Sequence, residues 1–354
     1  MQNKSETISN LAETAINHQA SDIHISAGRK PILRVADRLL VLSDHDELSA
    51  DDVKNLLTEL LTEGELNRFH QQRSLDFSFT HGDDARFRCN AFYAQGLPVI
   101  AMRLIPSRIR SFEELNLPPQ LEQFTKTEQG FFLVVGPVGQ GKSTTLATMI
   151  ENINENHSRH IITIEDPLEY VYTQKKSIID QREVRIDTPD FRTALRAVFR
   201  QDVDVVLVGE MRGRETIETA VTAGETGHLV YSTLHTNSAS QTVNRIIDSF
   251  PPEQQKQVRY QLSSSLSGIF SQRLLPRISG GVVPAYELLI NNKAIANLIR
   301  EGRTHEIDNV IQTSGEAGMI TLNQSLANLV RTGEVEVADA MRFSRNPAQL
   351  EQII

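Results

Sequence analysis

Phe131-Phe132-Leu133-Val134-Val135 runs directly into Gly136-Pro137-Val138-Gly139-Gln140-Gly141-Lys142-Ser143, and Thr144–Ile153 can continue as a helix. No other feature restricts the fold so tightly. Five consecutive apolar residues predict a strand buried on both faces, which calls for a parallel sheet covered by helices. The next eight match G-x-x-x-x-G-K-[ST] in full, so the strand must end in a loop that can wrap an anion. Its glycines let successive N–H groups approach phosphates without a Cβ clash, and the helix that follows turns its positive end on them. Gly136, Pro137, Val138, Gly139, Gln140, Gly141, Lys142, Ser143 and Thr144 are therefore the expected phosphate cradle. Lys142 would neutralise β- and γ-phosphates, and the Ser143 hydroxyl would ligate Mg²⁺. ATP with Mg²⁺ is the cofactor this pattern implies.

The same texture continues beyond the loop. Apolar stretches at His160–Ile164, Val203–Val208 and Leu229–Ser232 alternate with helical segments, as in an α/β domain with a parallel sheet. After Pro251 the chain reads as mainly helical, with one apolar stretch at Val282–Ile290. Ligand chemistry in such sheets gathers at the carboxyl ends of the strands. Glu210 ends one of them, placed to orient or deprotonate an attacking water, or to hold Mg²⁺ through a water. Glu165, Asp166 and Glu169 crowd the end of another, and their mutual repulsion asks for a cation or for hydrogen-bond donors. His228 and His235 bracket Leu229–Ser232, where a neutral imidazole could donate to a γ-phosphate oxygen. A lone histidine is more often a satisfied core or surface residue. Arg192, Arg196 and Arg200 recur every fourth residue, a solvated stripe or a subunit-boundary element.

The first 105 residues read differently. Ile8, Leu11, Ala12, Ala15 and Ile16 lie at helical spacing, and Asp22–Ser26, Pro31–Val35 and Leu39–Leu42 look like short strands. Ser49 with Asp52 resembles a helix start, followed by the apolar face of Val53, Leu56, Leu57, Leu60 and Leu61. Leu75, Phe77 and Phe79 alternate with polar residues, as do Phe87, Cys89 and Ala91. Residues 1–105 thus form a small α/β domain with an antiparallel sheet, 106–120 a proline-bearing linker, and 121–354 the ATPase domain. A formal charge of −9 argues against a broad basic surface for nucleic acid. One cysteine excludes an intrachain disulfide framework and fits a reducing cytoplasm. With no signal-peptide pattern and no apolar run long enough to span a bilayer, any membrane association must come through a partner.

Taken together, the phosphate loop, Ile164-Glu165-Asp166-Pro167-Leu168-Glu169-Tyr170, Val208-Gly209-Glu210-Met211-Arg212, Glu225-Thr226-Gly227-His228 and Ser232-Thr233-Leu234-His235-Thr236 closely resemble the secretion-superfamily ATPases. Specifically, they resemble the PilT-type twitching-motility retraction ATPases of type IV pili. Ala20–Gly28 looks like the start of that family's N-terminal domain, and Ala294–Glu301 like its C-terminal helix motif. The resemblance implies a homohexamer with a PAS-like N-terminal domain and a RecA-like ATPase domain, ATP lying between them. It also implies an inner-membrane pilus platform protein as partner, and a location at the inner face of the membrane. The acidic box, Glu210 and both histidines take the family's nucleotide-site roles, and Arg88 and Arg103 stand where its nucleotide-reaching arginines fall. On the bland reading these two are strand arginines on an exposed face.

Two positions depart from the family pattern. Gly213 stands where an acid usually follows Glu-Met-Arg, which leaves the nucleotide-site residues untouched. Ala296 stands where an arginine usually follows Ala-Ile, which bears on whether the chain retracts pili unaided. Gly139-Gln140-Gly141 and Ser271-Gln272-Arg273-Leu274 also resemble the accessory retraction ATPases. The alternatives are therefore an accessory retraction, extension or secretion motor, or a nucleotide-dependent structural switch. A single cysteine and a short N-terminal region weigh against extension and type II secretion motors, and intact Lys142, Ser143 and Glu210 against the switch.

Overall fold

The alternation at Phe87, Cys89 and Ala91 is a strand whose three apolar side chains are buried, in a computed structural model that describes residues 4–18, 20–35, 38–82, 85–105, 108–211 and 213–354. The chain divides into two units, Met1–Arg108 and Ile109–Ile354.

In the first unit, α1 (Lys4–Asn17), β1 (Asp22–Ser26), β2 (Ile32–Val35) and β3 (Arg38–Val41) precede α2 (Ala50–Leu60) and α3 (Glu63–Gln72). A meander of β4 (Ser74–His81), β5 (Ala85–Ala94) and β6 (Leu97–Ile105) completes it. The sheet is antiparallel throughout, in the order β3-β2-β1-β6-β5-β4, a PAS-like arrangement. Ser49 and Asp52 close a capping box on α2, which satisfies two N–H groups that a helix start leaves unpaired. That fixes the face carrying Val53, Leu56 and Leu57 against the sheet, alongside Leu11, Ala12 and Ala15 of α1. Ile16, expected on the same face, is exposed. Two elements lie outside those expected: α3, where Thr62 and Glu65 form a second capping box at its start, and β6.

The second unit opens with α4 (Glu122–Thr125), β7 (Gly130–Val135), α5 (Lys142–Asn156), β8 (His160–Glu165), β9 (Ile178–Glu183) and α6 (Phe191–Val198). Then come β10 (Val205–Val208), α7 (Arg214–Glu225), β11 (Leu229–Leu234), α8 (Ala239–Asp248) and α9 (Pro252–Ser265). The rest is β12 (Leu266–Pro276), β13 (Val282–Ile290), α10 (Lys293–Glu301), α11 (Ile307–Thr313), α12 (Leu322–Arg331), α13 (Val337–Phe343) and α14 (Pro347–Glu351). The sheet runs β13-β12-β7-β11-β10-β8-β9, parallel except for β13. This is a RecA-like core. Every residue of β7 is buried: Phe131, Leu133 and Val135 join the α6–α11 side, and Phe132 and Val134 the α5 side.

Three expectations change. The span after Pro251 opens on α9 and is mainly helical, but it holds a second strand besides Val282–Ile290, because β12 adds eleven residues to the sheet beside β7. A further strand, β9, extends the other edge. Of the expected linker 106–120, Pro106 and Ser107 lie outside the described residues, while Phe112 and Leu117 are buried in the core beside α5.

Gly268 shows how tightly β12 is seated. A Cβ there would lie 2.8 Å from the Leu289 carbonyl oxygen and 2.9 Å from the Phe124 ring. Gly268→Ala is expected to destabilise the second unit by about 2 kcal/mol through overpacking. The check is a lowered denaturant midpoint with an unchanged slope.

Candidate active site

Parallel strands bring their carboxyl ends to one edge of the sheet. Gly136 follows β7, Glu165 ends β8, Glu210 follows β10 and His235 follows β11. Because β11 pairs with β7 on one side and β10 on the other, its end falls between the phosphate loop and Glu210. His235 accordingly bridges them, with Nδ1 3.5 Å from Lys142 Nζ and Nε2 3.7 Å from Glu210 Oε2. An ammonium can only donate, so its contact requires a bare Nδ1 and leaves the ring proton on Nε2, facing Glu210.

The loop has the backbone that its glycines permit. Gly139 and Gly141 have φ of 78° and 75°, left-handed values that cost a residue with a Cβ. Gly141 starts α5. At Gly136 a Cβ would lie 2.6 Å from the Gln272 carbonyl oxygen. The Gln140 side chain accepts from the Leu274 N–H (2.7 Å), and Thr145 Oγ1 donates to Gln272 Oε1 (2.7 Å). The loop is thus sewn to β12, while Val138 is exposed at its tip. Lys142 donates to the carbonyls of Gly136 and Pro137, both at 2.8 Å. Burial lowers the pKa of its ammonium; Glu169 and Glu210 oppose that shift and Arg273 adds to it. Ser143 is half-buried and its hydroxyl makes no hydrogen bond to another described residue. Thr144 Oγ1 meets the Tyr170 hydroxyl at 2.9 Å, tying α5 to the acidic segment.

The three carboxylates of that segment diverge. Glu165 is buried; burial, and then the carboxylates of Glu169 and Glu183, push its pKa up to about 7, against the Thr163 side chain and the Glu169 N–H, which lower it. It accepts from the Glu169 N–H (3.3 Å). Asp166 pairs with Arg185 at 3.1 Å, and Glu169 is exposed within electrostatic reach of Lys142. Burial favours the protonated form of Glu165, Arg185 pairs with Asp166, and Lys142 lies within electrostatic reach of Glu169, so the protein offsets each carboxylate separately. Glu210 is held by its backbone neighbours: Thr233 Oγ1 donates to the Gly209 carbonyl (2.7 Å), and the Met211 N–H donates to the Thr233 carbonyl (3.3 Å).

Other expected residues lie elsewhere. His228 precedes β11, so a whole strand separates it from the phosphate loop of its own unit, roughly 20 Å at strand rise. Its ring packs edge-on against Phe199, 5.3 Å between centroids. It is not part of the Lys142 cluster, because the direction of β11 puts the two histidines at opposite edges. Arg88 and Arg103 are directly cross-strand on β5 and β6 of the first unit. Both are exposed, and Arg103 Nε donates to Asp22 (2.8 Å). Arg192 pairs with Glu215 at 2.6 Å, Arg196 is exposed, and Arg200 lies beyond the end of α6. Arg212 falls outside the described residues. Tyr170, Gln272 and Arg273 were not singled out for the site, and only their long-range partners reveal them.

The type II/IV secretion system protein family matches residues 2–305. A twitching motility protein of Neisseria gonorrhoeae is 46% identical over 301 residues, 85% of this chain and 80% of that protein. The type IV pilus retraction ATPase PilT of Pseudomonas aeruginosa is 42% identical over 340 residues, 96% of this chain and 98% of that protein. A crystal structure of the pilus retraction motor PilT with bound ADP matches with a TM-score of 0.92 at 46% identity, covering 98% of this chain and 99% of that one.

Glu165 makes stability depend on pH. With its folded pKa raised from 4.5 to about 7, the folded state holds a proton that the unfolded state releases between those values. Its contribution is full below about pH 4.5 and is lost as pH rises to about 7, a change on the order of 3 kcal/mol. Glu165→Gln in the nucleotide-free protein should therefore raise the melting temperature at pH 8 and flatten its dependence between pH 5 and 7. An unchanged pH profile would refute the assignment.

Proposed function

The chain belongs to the type II/IV secretion system protein family and is a PilT-type ATPase, and from that premise we propose that it powers type IV pilus retraction as a homohexameric motor. The observation carrying the proposal is the convergence of Lys142, His235 and Glu210 at the mouth of the phosphate loop. Lys142 and the N–H groups of residues 136–144 bind the phosphates. Glu210 orients the attacking water and takes its proton, and His235 reports the γ-phosphate to the segment leading into α8. Glu165, Asp166 and Glu169 shape the acidic wall. Relatives of nearly the same length that carry retraction in their names support this output over an accessory, extension or secretion role.

The residues fit Mg²⁺. Among the described residues no cluster of three or more carboxylate, histidine or cysteine side chains could hold a metal alone. The donors would be the Ser143 hydroxyl and phosphate oxygens, with Glu210 acting through water, an all-oxygen set suited to a hard cation. When bound, the ion neutralises charge on the β- and γ-phosphates.

In a ring, Arg88 and Arg103 would supply positive charge to a nucleotide as charge develops on the γ-phosphate. Among the described residues no helix is long and apolar enough to cross a membrane; the proposed partner is a platform protein at the inner membrane face. On α10, Ile295, Leu298 and Ile299 are buried while Asn297 and Arg300 are exposed, so the outer side of this helix is open to a partner or a neighbouring subunit.

Lys142→Ala should abolish ATP binding. Glu210→Gln should keep binding and lose at least about a hundredfold in turnover; wild-type turnover would move the catalytic assignment to Glu165. Substituting Arg88 or Arg103 should lower turnover more than melting temperature, with turnover rising with protein concentration. Light scattering that shows a fully active monomer would exclude the ring. Arg300→Glu should leave turnover intact and fail to restore twitching to a deletion strain, whereas joint loss of turnover and melting temperature would make α10 purely structural.

A further inference from the structure

Glu287, on β13, is almost wholly buried yet has no part in the chemistry above. Its Oε1 accepts from the Ala239 N–H at 2.8 Å, and its Oε2 meets the Arg345 guanidinium. Ala239 is the first residue of α8, whose N-cap Ser238 already accepts from the Gln241 N–H. The carboxylate thus takes a second orphan donor at the helix start, where negative charge is also favoured by the dipole. His235 lies four residues upstream. Between them Asn237 is clamped to β12: its carbonyl accepts from Ser271 Oγ (3.1 Å) and Arg273 Nη2 (3.2 Å), and its side-chain oxygen from Arg273 Nη2 (3.0 Å). The segment from His235 to Ala239 is therefore gripped along its length.

Arg345 comes from another part of the fold. It lies between α13 and α14, which pack with α12 around Leu275, Val283 and Ala285 of the β12–β13 hairpin. A buried carboxylate is costly unless paired, and removing one partner of such a pair strands the other charge. Both ends of this ion pair therefore matter to where α8 begins.

We propose that Glu287 and Arg345 are positioning residues for ATP hydrolysis: together they fix the start of α8, hold His235 at the Lys142–Glu210 contact, and tie that setting to the C-terminal helices. The proposal rests on the reading of His235 and Glu210 as hydrolytic-site groups. Glu287→Gln keeps an acceptor for the Ala239 N–H but removes the charge that Arg345 meets. Arg345→Ala removes the cation, and Arg345→Lys restores it.

Steady-state kinetics should show kcat lowered about tenfold in Glu287→Gln and Arg345→Ala, with the KM for ATP within about twofold. Arg345→Lys should recover most of kcat. Amide hydrogen exchange should quicken in the peptide spanning residues 235–242 in the first two variants, with the core strands protected as before. Unchanged kcat in folded Glu287→Gln and Arg345→Ala would overturn the proposal. So would parallel loss of kcat, ATP binding and melting temperature in Glu287→Gln and Arg345→Lys, the signature of a pair that serves folding alone. Glu210→Gln is the control: if it turns over at the wild-type rate, the hydrolytic-site reading fails, whereas an inactive Glu210→Gln beside unchanged pair variants removes this proposal only.

Discussion

A buried ammonium with three hydrogens organises the ATPase unit. Lys142 is removed from water by the loop that carries it, and all its donors have partners: the carbonyls of Gly136 and Pro137 and the Nδ1 of His235. An ammonium has no acceptor and no fourth donor. A phosphate oxygen that takes one of these hydrogens must displace a loop carbonyl or the imidazole. The carbonyls are fixed by a backbone whose Gly136 sits against β12, whereas His235 is a side chain at a strand end. Competition for Lys142 therefore falls most easily on His235, which also faces Glu210. On the proposed role of Glu210, a group that gains or loses a contact with phosphate beside that carboxylate is the simplest link between binding and hydrolysis.

Much of this was legible because its causes are local. A strand of five apolar residues, a glycine-rich turn and a helix start lie within some twenty-five residues, and their spacing alone dictates the phosphate cradle. Ser49 with Asp52, and the alternation at Phe87, Cys89 and Ala91, are similarly self-contained. What stayed hidden depends on distant partners. β12 reads Leu-Ser-Gly-Ile-Phe-Ser-Gln-Arg-Leu-Leu-Pro, and its Ser271, Gln272 and Arg273 are polar yet buried. Those side chains face the phosphate loop, the segment from His235 to Ala239 and α5, whose needs cannot be seen from within the strand. β9 escaped notice for a related reason, since Asp180, Gln181, Arg182 and Glu183 obscure any apolar pattern.

The two histidines show a different limit. Both flank the same strand, and the motif treats them as a pair, but a strand has a direction and a length. Six residues of β11 carry one imidazole to the edge that holds the phosphate loop and leave the other beside Phe199 at the far edge. Sequence adjacency to a strand end predicts function only when the carboxyl end is meant. The acidic segment makes the same point at shorter range: Glu165, Asp166 and Glu169 are close in sequence but occupy a buried, an ion-paired and an exposed environment. Three carboxylates that look equivalent in the motif cannot share one role.

Buried polarity around β12 follows from the cradle itself. A phosphate loop must keep its N–H groups free for a ligand, so it cannot stabilise itself by folding back on its own backbone. Other groups must hold it. Gln140 and Gln272 do so through Leu274 and Thr145, and Arg273 does so for the neighbouring segment from His235 to Ala239 through Asn237. Each of these polar groups then needs a place in an otherwise apolar sheet, and β12 provides it by lying directly beside β7. Glu287 extends the pattern by one strand, register-paired with Ser271 across β13. Its partner Arg345 lies near the end of the chain, so the demand for satisfied donors that begins at Gly136 reaches the last helices of the fold.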